Sequence, residues 1–477
     1  MASAIMFFAA CSSDKLEAYQ GQPDTNLESP SNAISFGTYM GKTGTTRATT
    51  GQTGVITTST LQSSTNGFGV YGYLSSTAFT DNTAVTATPN FMWNEQVTYS
   101  SSKWSYSPVK YWPNGEDGNN TAGTPSNTAV QTSAQYLNFF AYAPWVSAGV
   151  AANDGITSIP ANNATDLKIG YKLSDTPTTL NAVVDLLWGM RGNSTGYSLA
   201  DGTETDAQKA YKYNVGLTKQ NTTETVDFLF KHALAKIGGY DNTNSKSGLK
   251  VVYDIDGNGS GVTGAGTTDA NTLVTIQSIT IENGKDGSNN STLFATGKFD
   301  ISTGTWSDQA TSSSTTPSFS TTIAVADMNT EIAEPTTPSY SGSAWSPVGV
   351  TTTAKDVYKT GTDVAPLFFI PGATGQTIKV SVTYLVRTYD AGLANTAPGT
   401  GETGTWTKVS QTITNEVTLP ASTEPNKYYT LVIHLGLTSV KFSATVSDWD
   451  GGTTTGGGTI NSQEIWLPSN VVPVDTP

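Results

Sequence analysis

Apolar and polar residues alternate along several long stretches of the chain. Every second residue is apolar over residues 378–386, and the same period recurs over 429–437 and 440–446. A period of two is typical of a strand that buries one face in a core and leaves the other in water. Shorter strands are predicted at 68–73 and 226–230. The pattern therefore predicts an antiparallel all-β protein.

One segment departs from this pattern. Residues 180–188 (LNAVVDLLW) are rich in apolar residues without strict alternation, and we expect a helix there. A polar run over residues 192–223 separates two series of predicted strands, so the boundary between two domains is expected within it. No clean repeat of propeller-blade length is found, which favours β-sandwiches.

Composition limits the possible classes of function. Only 13% of the 477 residues are charged, and the net charge is −14. The 21 Tyr, 16 Phe and 10 Trp residues are enough to fill packed cores. The acidic balance gives no basic surface for nucleic acid. No stretch of about 18 apolar residues is present to cross a membrane.

The single cysteine follows an apolar N-terminal segment. Cys11 comes directly after two alanines, which is the arrangement of a lipoprotein signal peptide. We therefore expect Cys11 to carry a lipid that is the only membrane anchor. The charged segment that usually opens a signal peptide is missing, so the natural start is expected upstream. One cysteine excludes a disulfide within the chain and a four-cysteine zinc site.

The two histidines offer little catalytic chemistry. His232 is in phase with Phe228 and Phe230, so it is expected to point inward as a hydrogen-bonded core residue. His434 alternates with Ile433 and is expected to face solvent. Neither histidine is predicted to act in catalysis.

One acidic loop imitates the start of a calcium site. Residues 254–260 (DIDGNGS) have suitable ligands, but Ala265 stands where a bidentate glutamate is needed and no helices flank the loop. A polar hairpin turn is the better interpretation. A pair of carboxylates for glycoside hydrolysis could come from distant loops, although no residue stands out for that role. We predict no enzyme activity, no metal and no cofactor.

The N-terminal region carries a short predicted strand and a loop of small residues. Ile34 and Phe36 lie on one face of the strand. Arg47 and Ala48 follow in the loop, which is the kind of segment that proteases cut. The chain has only three arginines. Arg387 lies within a predicted strand that should protect it, and Arg191 is a possible secondary cleavage site.

The C-terminal region has a similar layout. A glycine-rich hinge at 451–458 leads to an apolar tail that contains Ile460, Ile465, Leu467 and Val471. The tail could fold back on its own domain, remain frayed, or pair as a strand with a neighbouring molecule.

Several short motifs occur in an order that resembles the fimbrillin superfamily, the pilins of Bacteroidales-type fimbriae. They are Ile34-Ser35-Phe36, Thr46-Arg47-Ala48, GFGVY at 67–71, WSYSPVKYWP at 104–113, FAYAP at 140–144, DLL at 185–187, FKHAL at 230–234, YTL at 429–431 and VSDW at 446–449. Each motif alone is weak, but together they extend over the chain after Cys11.

The resemblance implies two tandem transthyretin-like β-sandwich domains. It divides the chain into a signal peptide with its lipidated cysteine (1–11), a propeptide with tether and blocking strand (12–47), an N-terminal sandwich (48–222), a C-terminal sandwich (223–450), and a hinge with donor strand (451–477). It also implies lipid-anchored export to the outer membrane and cell surface.

The resemblance further implies a route of assembly. An arginine-specific protease would cut between Arg47 and Ala48, and the strand carrying Ile34 and Phe36 would leave its groove. The donor strand of another copy, or of a related fimbrial subunit, would then enter that groove. A cell-surface receptor is a further possible partner.

Two alternatives remain open at this level. The first is a monomeric surface lipoprotein that acts as a tip adhesin or glycan-binding module and needs no donor strand. The second is a secreted β-sandwich hydrolase, which needs a convergent pair of carboxylates in a cleft.

Overall fold

The protein is described here by a computed structural model. The structure describes residues 33–39, 58–112, 136–149, 155–173, 183–191, 212–217, 225–241, 246–253, 272–287, 290–311, 320–324, 355–357, 364, 366–372, 375–389, 406–420, 422–435, 440–448 and 463–466. Strands dominate these residues, with one short helix, α1 (Thr58–Ser63), among them.

The described strands are numbered in chain order. Those in the first half are β1 (Ser35–Tyr39), β2 (Phe68–Ser75), β3 (Met92–Ser100), β4 (Lys103–Ser105), β5 (Tyr136–Ala143), β6 (Gly155–Ser158), β7 (Lys168–Lys172), β8 (Leu187–Arg191), β9 (Asn214–Leu217), β10 (Thr225–His232), β11 (Ala235–Ile237), β12 (Tyr240–Asp241) and β13 (Lys246–Ser247). Those in the second half are β14 (Leu249–Tyr253), β15 (Thr272–Asn283), β16 (Phe294–Asp300), β17 (Thr305–Thr311), β18 (Ser320–Ala324), β19 (Lys355–Asp356), β20 (Leu367–Phe369), β21 (Thr377–Tyr389), β22 (Trp406–Thr418), β23 (Lys427–Leu435), β24 (Val440–Asp448) and β25 (Gln463–Trp466).

An eight-stranded sheet organises the N-terminal part. Its order is β1-β10-β8-β5-β2-β3-β4, and β9 pairs with β5. Successive side chains of a strand point to opposite faces, so each strand feeds two cores. Phe68 and Val70 of β2 lie in one apolar cluster, whereas Tyr71 and Tyr73 lie in another. The first cluster surrounds β1 and is referred to below as the β1 core.

A second sheet packs on the tyrosine-bearing face. Its order is β17-β16-β7-β6, and its side chains join the same cluster as Tyr71 and Tyr73. The rings of Trp188 and Phe299 have centroids 5.1 Å apart and lie edge to face. Strands β16 and β17 come from beyond the predicted boundary at residue 222, so one sheet draws strands from both sides of it. The proposed division into domains stays a prediction.

Two large sheets and the two-stranded sheet of β12 and β13 make up the described C-terminal part. The larger has the order β19-β14-β23-β11-β20, extended from β23 by β24 and β25, and the smaller has the order β18-β15-β21-β22. The apolar faces of both sheets belong to one cluster, as the alternation predicted: Val380, Val382, Leu431 and Ile433 are completely buried. The all-β class is thus confirmed, while the transthyretin-like topology remains an expectation.

Two expectations were wrong. Leu187 and Trp188, which close the predicted helix at 180–188, begin strand β8. This strand is buried on both faces, so its apolar residues run together and mimic a helix. His434, expected in solvent, is only 2% exposed. It lies in β23, which is paired on both sides and buried along nearly its whole length.

Candidate functional site

The edge strand β1 is the described part of the chain to which the predictions of a blocking strand and its groove refer. It runs parallel to β10, from Ser35 opposite Thr225 to Tyr39 opposite Leu229. Parallel strands cannot be joined by a tight hairpin, and these two lie 190 residues apart. The position of β1 therefore depends on its backbone ladder and its side-chain contacts rather than on a local turn.

Ile34 and Phe36 anchor β1 in the core. They are 2% and 4% exposed and belong to the β1 core. The Phe36 ring meets four aromatic rings, with centroid distances of 6.5, 5.3, 5.6 and 5.9 Å to Phe68, Tyr106, Phe139 and Phe228. Such ring pairs contribute about 0.5–1.5 kcal/mol beyond the burial of apolar area. Ile34 and Phe36 thus face the core on one side of the strand, as predicted.

Residues 106–111 hold β1 from its other side. The amide of Ile34 donates to the carbonyl of Lys110 at 2.9 Å, and Ala33 forms a bridge with Tyr111. The phenol of Tyr106 donates to the carbonyl of Ile34 at 2.9 Å. Burial raises the pKa of Tyr106 to about 12, so this donor keeps its proton at neutral pH. The start of β1 thus lies in a groove between β10 and this segment, called the β1 groove below.

Replacement of Tyr106 by phenylalanine tests this contact. We expect Tyr106→Phe to weaken the docking of β1 by about 1–2 kcal/mol, because the buried carbonyl of Ile34 loses its donor. Hydrogen exchange at the β1 amides, followed by mass spectrometry, should become faster. Tyr111→Phe is the matched control, since Tyr111 is 48% exposed. If the β1 amides exchange at the same rate in Tyr106→Phe and Tyr111→Phe, the hydroxyl of Tyr106 does not hold β1 in place.

The C-terminal tail is described only at β25. This strand pairs antiparallel with β24 of the same chain, and Ile465 lies opposite Ala444. The fold-back alternative for the tail is thus the arrangement within the single chain. Ile460, Leu467 and Val471 lie outside the described residues. Their predicted role in a donor strand remains a prediction.

The predicted processing sites lie mostly outside the described residues. These are Cys11, Arg47 and Ala48. The other two arginines are within strands. Arg387 is paired with Leu273 on one side and Lys408 on the other, as predicted. Arg191 lies in β8 opposite Phe228 and is 7% exposed. Backbone pairing of this kind opposes proteolysis at both positions.

The histidines occupy structural positions. His232 is 1% exposed, and its Nδ1 lies 2.9 and 2.8 Å from the two carboxylate oxygens of Asp185. The expectation of a hydrogen-bonded core histidine is confirmed. The backbone amide of His232 donates to Oδ1 of Asn426, so this pair lies where the N-terminal sheet meets the C-terminal strands. Among the described residues, no group of three or more His, Cys, Asp or Glu is suited to hold a metal.

Sequence reasoning gave no role to Tyr106 or Asp227. Tyr106 lies within one of the family motifs, but nothing in the sequence connects its hydroxyl with Ile34. Asp227 lies opposite Gly37 in the β1–β10 ladder. A glycine inside a predicted strand indicates that another group approaches the backbone closely, so Gly37 was the one sign in the sequence that pointed to Asp227.

No helix among the described residues is long and apolar enough to span a membrane.

Fold and site define an all-β protein that holds an edge strand from a distant part of its own chain in a groove. In comparisons, a curated relative, the fimbrium subunit Fim1C of Phocaeicola vulgatus, is 26% identical over 181 residues, which is 38% of each chain. The chain thus matches less than half of that relative's length. No family model matches the chain.

A solved structure shares the fold. The crystal structure of a fimbrial protein from Bacteroides vulgatus aligns with a TM-score of 0.50 at 20% identity, covering 88% of this chain and 99% of the other. At this identity the likeness shows a shared fold, and the partial match to the fimbrium subunit agrees with the resemblance that the sequence motifs indicated.

Proposed function

We propose that this protein is a structural subunit of a bacterial surface fimbria. It is exported as a precursor with a lipid on Cys11, cut after Arg47, and polymerised when the tail of one subunit replaces β1 of the next. The names of its relatives, a fimbrium subunit and a fimbrial protein, favour this role. Adhesion through the assembled fibre follows from it.

The observation that carries the proposal is the way β1 is held. Arg47 lies in the chain between β1 and α1, so a cut there leaves β1 without a covalent link to the rest of the sheet. Its removal uncovers the apolar positions of Ile34 and Phe36 and the unpaired edge of β10. An open edge beside an apolar slot is a template for an added strand. β1 thus acts as a blocking strand before cleavage.

The energies permit exchange. Each large apolar side chain that enters the groove contributes roughly 1.5–3 kcal/mol, so four or five donor residues give on the order of 10 kcal/mol before ordering costs. Against this stand the four residue pairs between β25 and β24 and the contacts of β1, which the incoming strand replaces. A head-to-tail contact of this kind does not close, so repetition produces a filament.

Treatment of the purified full chain with an arginine-specific protease tests the proposal. We expect one cut after Arg47 followed by ladders on denaturant-free gels and filaments in electron micrographs. Arg47→Gln should abolish both. Ile465→Asp combined with Leu467→Asp should leave cleavage intact but stop assembly, because a charge cannot enter the apolar slot without a large desolvation penalty. Clean cleavage without assembly in both intact and tail-deleted chains would contradict polymerisation.

The monomeric alternative has one observation in its favour, the pairing of β25 with β24 within the chain. A surface lipoprotein that acts as a tip adhesin or glycan-binding module would keep this pairing after cleavage. The same experiment separates the two functions. A cleaved protein that stays monomeric and retains the β24–β25 ladder supports the module.

A further inference from the structure

At one point of the β1 groove, a side chain of β10 lies directly beside the backbone of β1. Gly37 lies opposite Asp227, and a Cβ added to Gly37 would collide with Oδ1 of that carboxylate. The same Cβ would come within 3.2 Å of Cγ2 of Thr225. The backbone of Gly37 is not in the left-handed region, so a side chain at this position is opposed by space rather than by conformation, and it fits only if the Asp227 carboxyl group moves.

Asp227 alternates with Val226 and Phe228, which belong to the β1 core, so its half-buried side chain lies beside β1 on the opposite face of the sheet. Burial raises the pKa of Asp227 to about 6. A second carboxylate brought to this point would face strong repulsion at neutral pH. A bulky side chain would force the Asp227 side chain out of its position.

We propose that Asp227 determines which strand the β1 groove accepts, admitting strands of the pattern apolar-any-apolar-glycine and disfavouring those with a side chain at the glycine position. This inference rests on the proposed function, because it names the class of partner for the same groove. The preferred occupant is a strand like Ile34-Ser35-Phe36-Gly37, offered by a fimbrial subunit.

The tail of this chain does not fit that pattern. Residues 459–477 contain no glycine, so every register places a side chain or a proline ring against Asp227. One antiparallel register brings Leu467 and Ile465 to the two apolar positions and Glu464 to the position of Gly37. A copy of this tail therefore enters the groove through its two apolar residues, but it is expected to bind less tightly than a glycine-bearing strand of a related subunit.

A double-mutant cycle on the full chain tests the selecting contact. We expect Gly37→Ala to speed hydrogen exchange of the β1 amides on the order of tenfold, because overpacking at this point lifts the strand. Asp227→Ala in the same chain should restore slow exchange. Gly287→Ala is the matched control, since a Cβ there meets nothing within 4 Å. Circular dichroism checks that each variant is folded, and Asp227→Asn keeps the shape of the side chain without its charge.

Synthetic strands test the selection directly. After cleavage with the arginine-specific protease, a labelled peptide of residues 32–40 should bind more tightly than its Gly37→Ala version or a peptide of residues 459–472. In the Asp227→Ala protein this preference should shrink on the order of tenfold. Failure of Asp227→Ala to rescue Gly37→Ala, or an unchanged peptide preference in that protein, overturns the inference. If the double-mutant cycle shows coupling but no peptide binds the cleaved protein, Asp227 contacts only β1 of its own chain. That result overturns both the selection by Asp227 and the proposed strand exchange.

Discussion

Replacement of Phe36 by alanine should release β1 from the sheet. The ring is 4% exposed and contacts four other rings, so Phe36→Ala is expected to weaken β1 docking by about 3–5 kcal/mol. The loss concentrates on β1 because the strand is an edge strand with no hairpin to retain it. Hydrogen exchange of β1 should rise by at least two orders of magnitude, and equilibrium unfolding should start at lower urea.

Phe369→Ala is the matched control for this variant. Phe369 is completely buried in the C-terminal part and contacts Tyr429, so its loss should lower global stability to a similar extent. The exchange of β1 relative to other core strands should nevertheless stay unchanged. If Phe36→Ala lowers global stability and leaves β1 as protected as its neighbours, then β1 is an integral strand. The blocking role proposed for it would then be wrong.

A released β1 has a functional consequence. In the proposed assembly, cleavage removes the covalent link and the donor strand competes with β1 for the groove. Phe36→Ala lowers the affinity of β1 for the groove, so the cleaved variant should exchange its strand faster than the unchanged protein. Under the proposed assembly, we therefore expect the depth of the Phe36 contact to influence the rate of strand exchange as well as the stability of the uncut chain.

Much of the fold was predictable because alternation reports the packing of a half-buried strand. Strands β10 and β21 lie where the period of two placed them, with alternate residues buried. The same rule failed where a strand is covered on both sides. Leu187 and Trp188 face different cores, so the apolar run around them has no strand period to detect.

The contacts that define the site could not be predicted in the same way. The parallel pairing of β1 with β10 joins residues 190 apart, and no local pattern encodes a partner at that distance. The sheet of β17, β16, β7 and β6 poses the same difficulty, since it crosses a polar segment that marks a boundary in the sequence. The apolar face of Ile34 and Phe36 was predictable, because it needs only a core. The partners Tyr106 and Asp227 needed the topology.

The second large effect is expected at the buried pair of His232 and Asp185. Asp185→Ala should lower the free energy of unfolding by about 3–5 kcal/mol, because the imidazole is left without its carboxylate in a site closed to water. Urea unfolding at neutral pH measures this loss. Substitution of both residues by leucine should be less destabilising than Asp185→Ala, because neither partner then remains buried and unpaired.

The surface pair of Lys298 and Asp308 provides the control for this effect. Its charged atoms lie 3.0 Å apart, but both side chains are more than half exposed, so Asp308→Ala should not shift the urea midpoint measurably. His232 precedes the residues that join the eight-stranded sheet to β11, and its amide donates to Asn426. Loss of the pair should therefore separate the unfolding of the N-terminal and C-terminal parts into two transitions. A single transition with an unchanged midpoint would show that the pair contributes neither stability nor coupling between them.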